Sequence, residues 1–296
     1  MSSPGLLRTV ARGWRWGSQP MVPASAQAHR PPHAPKEFAT AWARTPAARA
    51  ARSAIQAGVL RPLVWSQTAP TVTGLDVLDG LRGPVIFVSN HSSHLDAPLI
   101  LGALPIEWRD HVAVTAAADY FFGSKWRGVA SALAIGTIPI ERRGGSPSTT
   151  PVELLQDGWS LVVFPEGTRA PDGQIGRFRF GAAALASTYG VPIVPIGIRG
   201  AYAAMPRGRA WPISGRPPVR VRFGPALRPE PNEEPRELTR RIEYAVRQVL
   251  EEDATTWWQS LRSAAPAPTV SGPRWRRVWE ATEPPESANS ARSAWR

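Results

Sequence analysis

Pro84-Val85-Ile86-Phe87-Val88-Ser89 is an apolar run bounded by Gly83 on one side and by the polar cluster Asn90-His91-Ser92-Ser93-His94-Leu95-Asp96 on the other. A short uncharged run of this kind predicts a buried strand. Strands buried on both faces belong to parallel sheets covered by helices, so this one segment already points to an α/β architecture. It also delivers its polar cluster to the carboxyl edge of the sheet, where open α/β folds hold their ligands.

The spacing inside the cluster adds a constraint. Residues five apart do not share a face of one continuous helix. For Asp96 to meet His91, the histidine must lie in the strand-to-helix turn and the aspartate in the first helical turn, looking back. An imidazole held by a carboxylate is oriented and made more basic, so it can take a proton from an alcohol. Asp96 could equally do no more than cap a helix that begins Ala97-Pro98-Leu99. The spacing leaves both readings open.

Two further clusters follow apolar segments. Leu161-Val162-Val163-Phe164 predicts a second buried strand, and it ends in Pro165-Glu166-Gly167-Thr168-Arg169. Arginine offers a planar fork of donors that matches phosphate oxygens. Glu166 could accept a hydrogen bond from a hydroxyl or hold the arginine in place. Gly136-Thr137-Ile138-Pro139-Ile140-Glu141-Arg142-Arg143 again sets arginine at the end of a short apolar segment. Each arginine alone is an ordinary surface residue, whereas three polar clusters at three apolar run ends imply a shared site.

These blocks, in this order and together with Val191-Pro192-Ile193-Val194-Pro195, resemble the four sequence blocks of the glycerolipid acyltransferases, above all the 1-acyl-sn-glycerol-3-phosphate (lysophosphatidate) acyltransferases. The resemblance spans roughly residues 60 to 225. In the second block the family shows an aromatic and an apolar residue before Asp-Arg, where this chain has Pro139-Ile140-Glu141-Arg142. The resemblance implies a mixed, largely parallel sheet flanked by helices. It implies His91 as general base on the free hydroxyl of a lysophospholipid or glycerol phosphate, with Asp96 orienting it. Asn90, Arg142, Glu166, Gly167, Thr168 and Arg169 form the implied substrate-binding set. The acyl donor would be acyl-CoA or acyl-carrier protein as co-substrate, with no cofactor, no metal and no covalent acyl-enzyme.

Composition frames this reading. The chain of 296 residues is 43% hydrophobic, enough for a core, and it has no cysteine, which excludes disulfides and thiolate chemistry. The net charge of +12 sits in the flanks. Residues 1–60 hold seven arginines and Lys36 against Glu37, a balance of +7, and residues 262–296 hold six arginines against three glutamates. The body between them is nearly neutral. Basic flanks favour an anionic membrane surface, and equally reflect a composition with only two lysines. A specific nucleic-acid surface would need those charges on the folded body, so no nucleic-acid partner is expected.

Residues 1–36 are expected to be disordered and basic, 37–66 a helical lead-in able to touch a membrane, 67–261 the acyltransferase domain, and 262–296 a disordered tail. No apolar core precedes Ala24-Ser25-Ala26, so a signal peptide is not expected. Thr45-Pro46 should cap and start a helix towards Gly58, with Ala51, Ile55 and Val59 on its apolar stripe and Arg49 and Arg52 off it. Phe180 to Ile198 carries no charge, yet Ser187-Thr188-Tyr189-Gly190 and two prolines divide it into a helix, Gly181 to Thr188, and a strand, Ile193 to Ile198. With no spanning segment, a peripheral or monotopic protein on the cytoplasmic face of the plasma membrane is expected.

Val112 to Thr115 should be a strand, Val219 to Phe223 an alternating half-exposed strand, and Pro235 to Leu250 an amphipathic helix burying Leu238, Ile242, Val246 and Val249. Tyr120, Phe121, Phe122 and Trp126 are expected in the core, the alternative being an acyl channel. His91, His94, Asp96 and His111 could in principle gather around a metal. The turn that brings Asp96 to His91 should aim His94 elsewhere, which leaves it a surface or substrate-lining residue. No G-x-S-x-G elbow lies near either histidine, so a serine hydrolase is not supported.

Overall fold

The apolar run behind Gly83 becomes the central strand of a seven-stranded sheet. The computed structural model describes residues 40–117, 125–140 and 150–254. In chain order the elements are α1 (Pro46–Ile55), α2 (Arg61–Gln67), β1 (Ala69–Thr73), β2 (Ile86–Ser89), α3 (Asp96–Ala103), α4 (Ile106–Arg109), β3 (Val112–Ala117), α5 (Lys125–Ile135) and β4 (Thr137–Ile140). There follow α6 (Thr150–Gln156), β5 (Ser160–Val163), α7 (Gly181–Tyr189), β6 (Ile193–Arg199), α8 (Ala201–Ala204), β7 (Pro218–Phe223) and α9 (Pro235–Ala254).

The strand order is β1-β7-β6-β2-β5-β3-β4, with only the β6–β7 pair antiparallel. The expected mixed, largely parallel sheet flanked by helices is therefore what forms. From β2 the chain builds outward through β3 and β4 and returns to β5. It then crosses to β6 on the other side of β2. Such a reversal opens a crevice at the carboxyl ends of the strands that flank it.

Alternation explains why β2 reads as continuously apolar. Val85 and Phe87 enter one core with Leu99, Ile100 and Val162, while Ile86 and Val88 enter a second with Leu161, Ile193 and Ile242. Each such side chain contributes roughly 1.5–3 kcal/mol on burial. In β7 only one face is apolar: Val219, Val221 and Phe223 are buried. Arg222 Nη2 on the other face donates to Glu252 Oε2 at 2.9 Å. Helix α9 buries the four expected residues, Leu238, Ile242, Val246 and Val249, and the first three enter the second core.

The helix and strand expected within 180–198 form as α7 and β6. Among the described residues no helix is long and apolar enough to cross a membrane.

Two expectations are corrected. Helix α1 starts as foreseen, with Pro46 in its first turn and Thr45 Oγ1 accepting from the Ala48 amide at 3.4 Å. Its buried face, however, holds Arg52 and Gln56, and Val59 is 60% exposed. Arg52 Nη2 donates to the Ala43 carbonyl at 2.9 Å, and Gln56 Nε2 to the Ala134 carbonyl at 3.0 Å. The neighbouring surface offers backbone acceptors, and polar side chains answer them. A π-turn over Gln56–Leu60 also breaks the regular helical period on which the stripe depended.

Trp126 is the second correction, since it is 84% exposed and not in the core. Helix α5 instead buries its small residues, among them Ser131 and Ala132. Tyr120, Phe121 and Phe122 lie outside the described residues.

Candidate active site

The ends of β2 and β5 meet at His91. The residue leaves the carboxyl end of β2, and its ring Nδ1 lies 2.9 Å from Asp96 Oδ2. Asp96 is the first residue of α3 and fully buried. Its Oδ2 also accepts the amides of Ser92 at 2.7 Å and Ser93 at 2.8 Å. These donors precede the helix, so the carboxylate looks back into the turn and does not cap the helix. Because a carboxylate only accepts, Nδ1 carries the proton and Nε2 keeps its lone pair.

The rest of His91 is held as firmly. Its amide donates to Glu166 Oε1 at 2.8 Å, and its carbonyl accepts from the Ala170 amide at 2.7 Å. Phe164, at the end of the neighbouring strand β5, stacks on the imidazole with centroids 4.2 Å apart. Ring face, ring Nδ1, amide and carbonyl are all engaged, which leaves Nε2 for a substrate. Phe164 reads in the sequence only as a strand residue. Its part becomes visible once β5 is known to pair with β2.

His91 opens onto a cavity of about 190 Å³. Its polar lining includes His94, Thr168, Arg169 and Arg207, with Gly167 beside them. Val114, Ala116, Ile135, Ile140 and Phe164 line it with hydrocarbon. His94 is held neutral, its pKa pushed down to about 4, chiefly by burial and further by the charge of Arg169. Neutral imidazole can donate or accept a hydrogen bond in this cavity without adding charge.

Of the expected substrate-binding set, Gly167, Thr168 and Arg169 line the cavity. Asn90 and Glu166 do not. Asn90 is buried and locks β2 to β6: its Nδ2 donates to the Ile198 carbonyl at 2.9 Å and its Oδ1 accepts the Ile198 amide at 2.8 Å. Glu166 spends both oxygens on main chain, one on His91 and the other on the Gly176 amide at 2.9 Å. Burial pushes its carboxyl up to about 7, against the pull of those two hydrogen bonds. Arg142 lies outside the described residues, although Ile140, two positions before it, lines the cavity.

The metal alternative loses its fourth residue. His111 precedes β3 at the opposite edge of the sheet, beside Asp110 and Trp159. Arg207 was not foreseen, because the segment between α8 and β7 shows neither periodicity nor a recognised block.

An α/β domain of this topology, with a carboxylate-held histidine facing a cationic cavity at the carboxyl edge, is built to activate a hydroxyl near an anion. Residues 69–199 match the model of the Acyltransferase family. A chloroplastic 1-acyl-sn-glycerol-3-phosphate acyltransferase of Brassica napus, BAT2, is 32% identical over 148 residues, covering 46% of this chain and 39% of the relative. The 1-acyl-sn-glycerol-3-phosphate acyltransferase of Pseudomonas aeruginosa is 39% identical over 107 residues, covering 34% of this chain and 38% of its own length. The crystal structure of the 1-acyl-sn-glycerophosphate acyltransferase PlsC from Thermotoga maritima superposes with a TM-score of 0.53 at 25% identity. That superposition covers 72% of this chain and 83% of that one. The chain spans about two fifths of the length of the curated relatives it matches.

Proposed function

We propose that the protein is an O-acyltransferase that moves a fatty acyl group to the free hydroxyl of 1-acyl-sn-glycerol 3-phosphate, forming phosphatidic acid. The relatives named for this reaction support the substrate. The observation that carries the chemistry is the 2.9 Å contact between His91 Nδ1 and Asp96 Oδ2 at the mouth of a cavity that also holds Arg169.

In this reading Nε2 of His91 takes the hydroxyl proton while the oxygen attacks the thioester carbon of acyl-CoA or acyl-carrier protein. The C–S bond breaks, and the thiolate leaves with the proton carried by the imidazolium. Asp96 holds the ring and stabilises its charged form. General-base assistance of this kind contributes about 10²–10⁴-fold, and positioning in the cavity adds to it. Thr168 and Arg169, with Arg142, bind the glycerol phosphate. Asn90 and Glu166 act as positioning residues, fixing the strand end and the His91 main chain. Residues 67–261 carry the chemistry, and the apolar lining takes the start of an acyl chain.

The reading also places the protein on the surface of an anionic membrane, at the cytoplasmic face of the plasma membrane. Support comes from the outward side chains of the lead-in and of α5. Trp42, Val59, Leu63 and Trp126 are all exposed, and amphipathic segments of this kind lie in the lipid interface. The basic flanks fit the same surface.

The test is an acceptor panel with purified protein and labelled acyl-CoA or acyl-carrier protein. Phosphatidate formed from lysophosphatidate is the expected product. Product only from glycerol 3-phosphate or another lysolipid keeps the mechanism and moves the acceptor. No transfer to any acceptor in the presence of membranes refutes the reading.

A further inference from the structure

The segment after α8 sets an exposed arginine at the lining of the cavity, on a turn of defined shape. The Arg209 amide donates to the Pro206 carbonyl at 3.2 Å, closing the turn Pro206-Arg207-Gly208-Arg209. Gly208, at the third position, takes φ +98°. A turn that requires a left-handed residue at that position is met by glycine without strain. Arg207 stands at the second position, on a backbone with little freedom.

The root of the turn is tied to the catalytic motif. Ser93 Oγ donates to the Met205 carbonyl at 2.8 Å, and the Ile213 amide donates to the Ala204 carbonyl at 2.8 Å. Ser93 is also one of the two residues whose amides hold Asp96. One serine therefore joins the carboxylate behind His91 to the turn that bears Arg207.

Arg207 lines the same cavity as His91 and Arg169, and among the described residues no carboxylate lines it. Nor does Arg207 have an acidic partner among the described residues. An anion that enters this space meets the guanidinium of Arg207 on the same lining as that of Arg169. A guanidinium recognises phosphate oxygens as a planar fork.

We propose that Arg207 is a substrate-binding residue that, with Arg169, holds a phosphate group of the bound substrate. The acceptor's phosphomonoester is the fitting source, because it shares a three-carbon backbone with the hydroxyl that must reach His91. The phosphates of CoA are the other source of the same chemistry. The assignment to a substrate rests on the acyl-transfer reading above, and the experiment separates the two.

Wild type, Arg207→Gln, Arg207→Lys and Arg209→Gln are compared, Arg209 being exposed and outside the cavity lining. KM is measured for lysophosphatidate with acyl-CoA saturating, and for acyl-CoA with lysophosphatidate saturating. Transfer to monoacylglycerol, which lacks the phosphate, is measured alongside. Arg207→Gln raises the lysophosphatidate KM about tenfold to a hundredfold, as loss of a charge-assisted hydrogen bond does. It leaves the monoacylglycerol rate unchanged; Arg207→Lys recovers part of the loss, and Arg209→Gln behaves as wild type. A rise confined to the acyl-CoA KM keeps the phosphate site and assigns it to the donor. Unchanged KM for both substrates overturns the proposal.

Calorimetric binding of glycerol 3-phosphate needs no turnover. At least tenfold weaker binding by Arg207→Gln supports the site even if the wild type transfers no acyl group, an outcome that defeats the acyl-transfer reading alone. Equal affinity in the two proteins, or no binding by the wild type, excludes the acceptor's phosphate as the source, and with no rise in the acyl-CoA KM it overturns the proposal.

Discussion

The turns after β2 and β5 leave adjacent parallel strands, and each aims a carboxylate at His91, but at different atoms. Asp96 meets the ring nitrogen at 2.9 Å, whereas Glu166 meets the main-chain amide at 2.8 Å. A carboxylate on the ring selects the tautomer and supports the imidazolium. One on the amide decides only where the ring stands. The surroundings differ accordingly: three donors converge on Asp96 Oδ2, while each Glu166 oxygen receives one. The lesson is that the identity of the contacted atom, and not closeness to the histidine, separates a group that shapes reactivity from one that shapes geometry.

The largest expected effect comes from Asp96→Asn. The amide oxygen can still accept from the turn, but the charge facing the imidazolium is lost. We expect kcat to fall about 10²–10⁴-fold with KM and melting temperature nearly unchanged, as steady-state kinetics and thermal denaturation will read. Glu166→Ala should reverse that profile. It leaves two partly buried amides unpaired, at a cost of about 1–3 kcal/mol of stability, and lowers kcat only about tenfold. Comparable kcat losses in the two variants would break the distinction between the turns.

A smaller effect is carried by pH. Folding raises the Glu166 carboxyl from 4.5 to about 7, so the folded state binds this proton more tightly than the unfolded chain. The contribution to stability is then greatest below pH 4.5, declines as pH rises towards 7, and is level above. Glu166→Gln should flatten that decline, measured as the shift in denaturation midpoint between pH 5 and pH 7.5. Smallest is Gly167→Ala, in the turn after β5, where φ is +71°. Left-handed backbone costs a residue with Cβ about 1 kcal/mol, the new Cβ would stand 2.9 Å from Arg179 Nε and displace that side chain, and a drop in thermal stability of at least the backbone cost is expected.

Legibility in the sequence followed the same physical lines. Helix α9 was readable because its apolar stripe meets the hydrocarbon of a sheet, and Leu238, Ile242 and Val246 all lie in the second core. The stripe on α1 obeyed the same period and misled, since the surface beneath that helix offers the carbonyls of Ala43 and Ala134 to Arg52 and Gln56. Periodicity reports amphipathicity, but not which medium lies on either side. At the site, five residues and a strand end left two geometries open, and the contact of His91 with Asp96 is the one that forms. Asn90 and Glu166 were not legible, because their partners lie 108 and 75 residues away. Phe164 and Arg207 needed the strand order and the turn after α8 before they could be connected with His91.

The central claim is that Nε2 of His91 takes the proton from the acceptor hydroxyl. Its most direct test is single-turnover transfer from acyl-CoA to lysophosphatidate by wild type and His91→Ala, with circular dichroism to establish that both are folded. The account predicts phosphatidate from the wild type and none above background from the folded variant. Near-normal transfer by folded His91→Ala would contradict it.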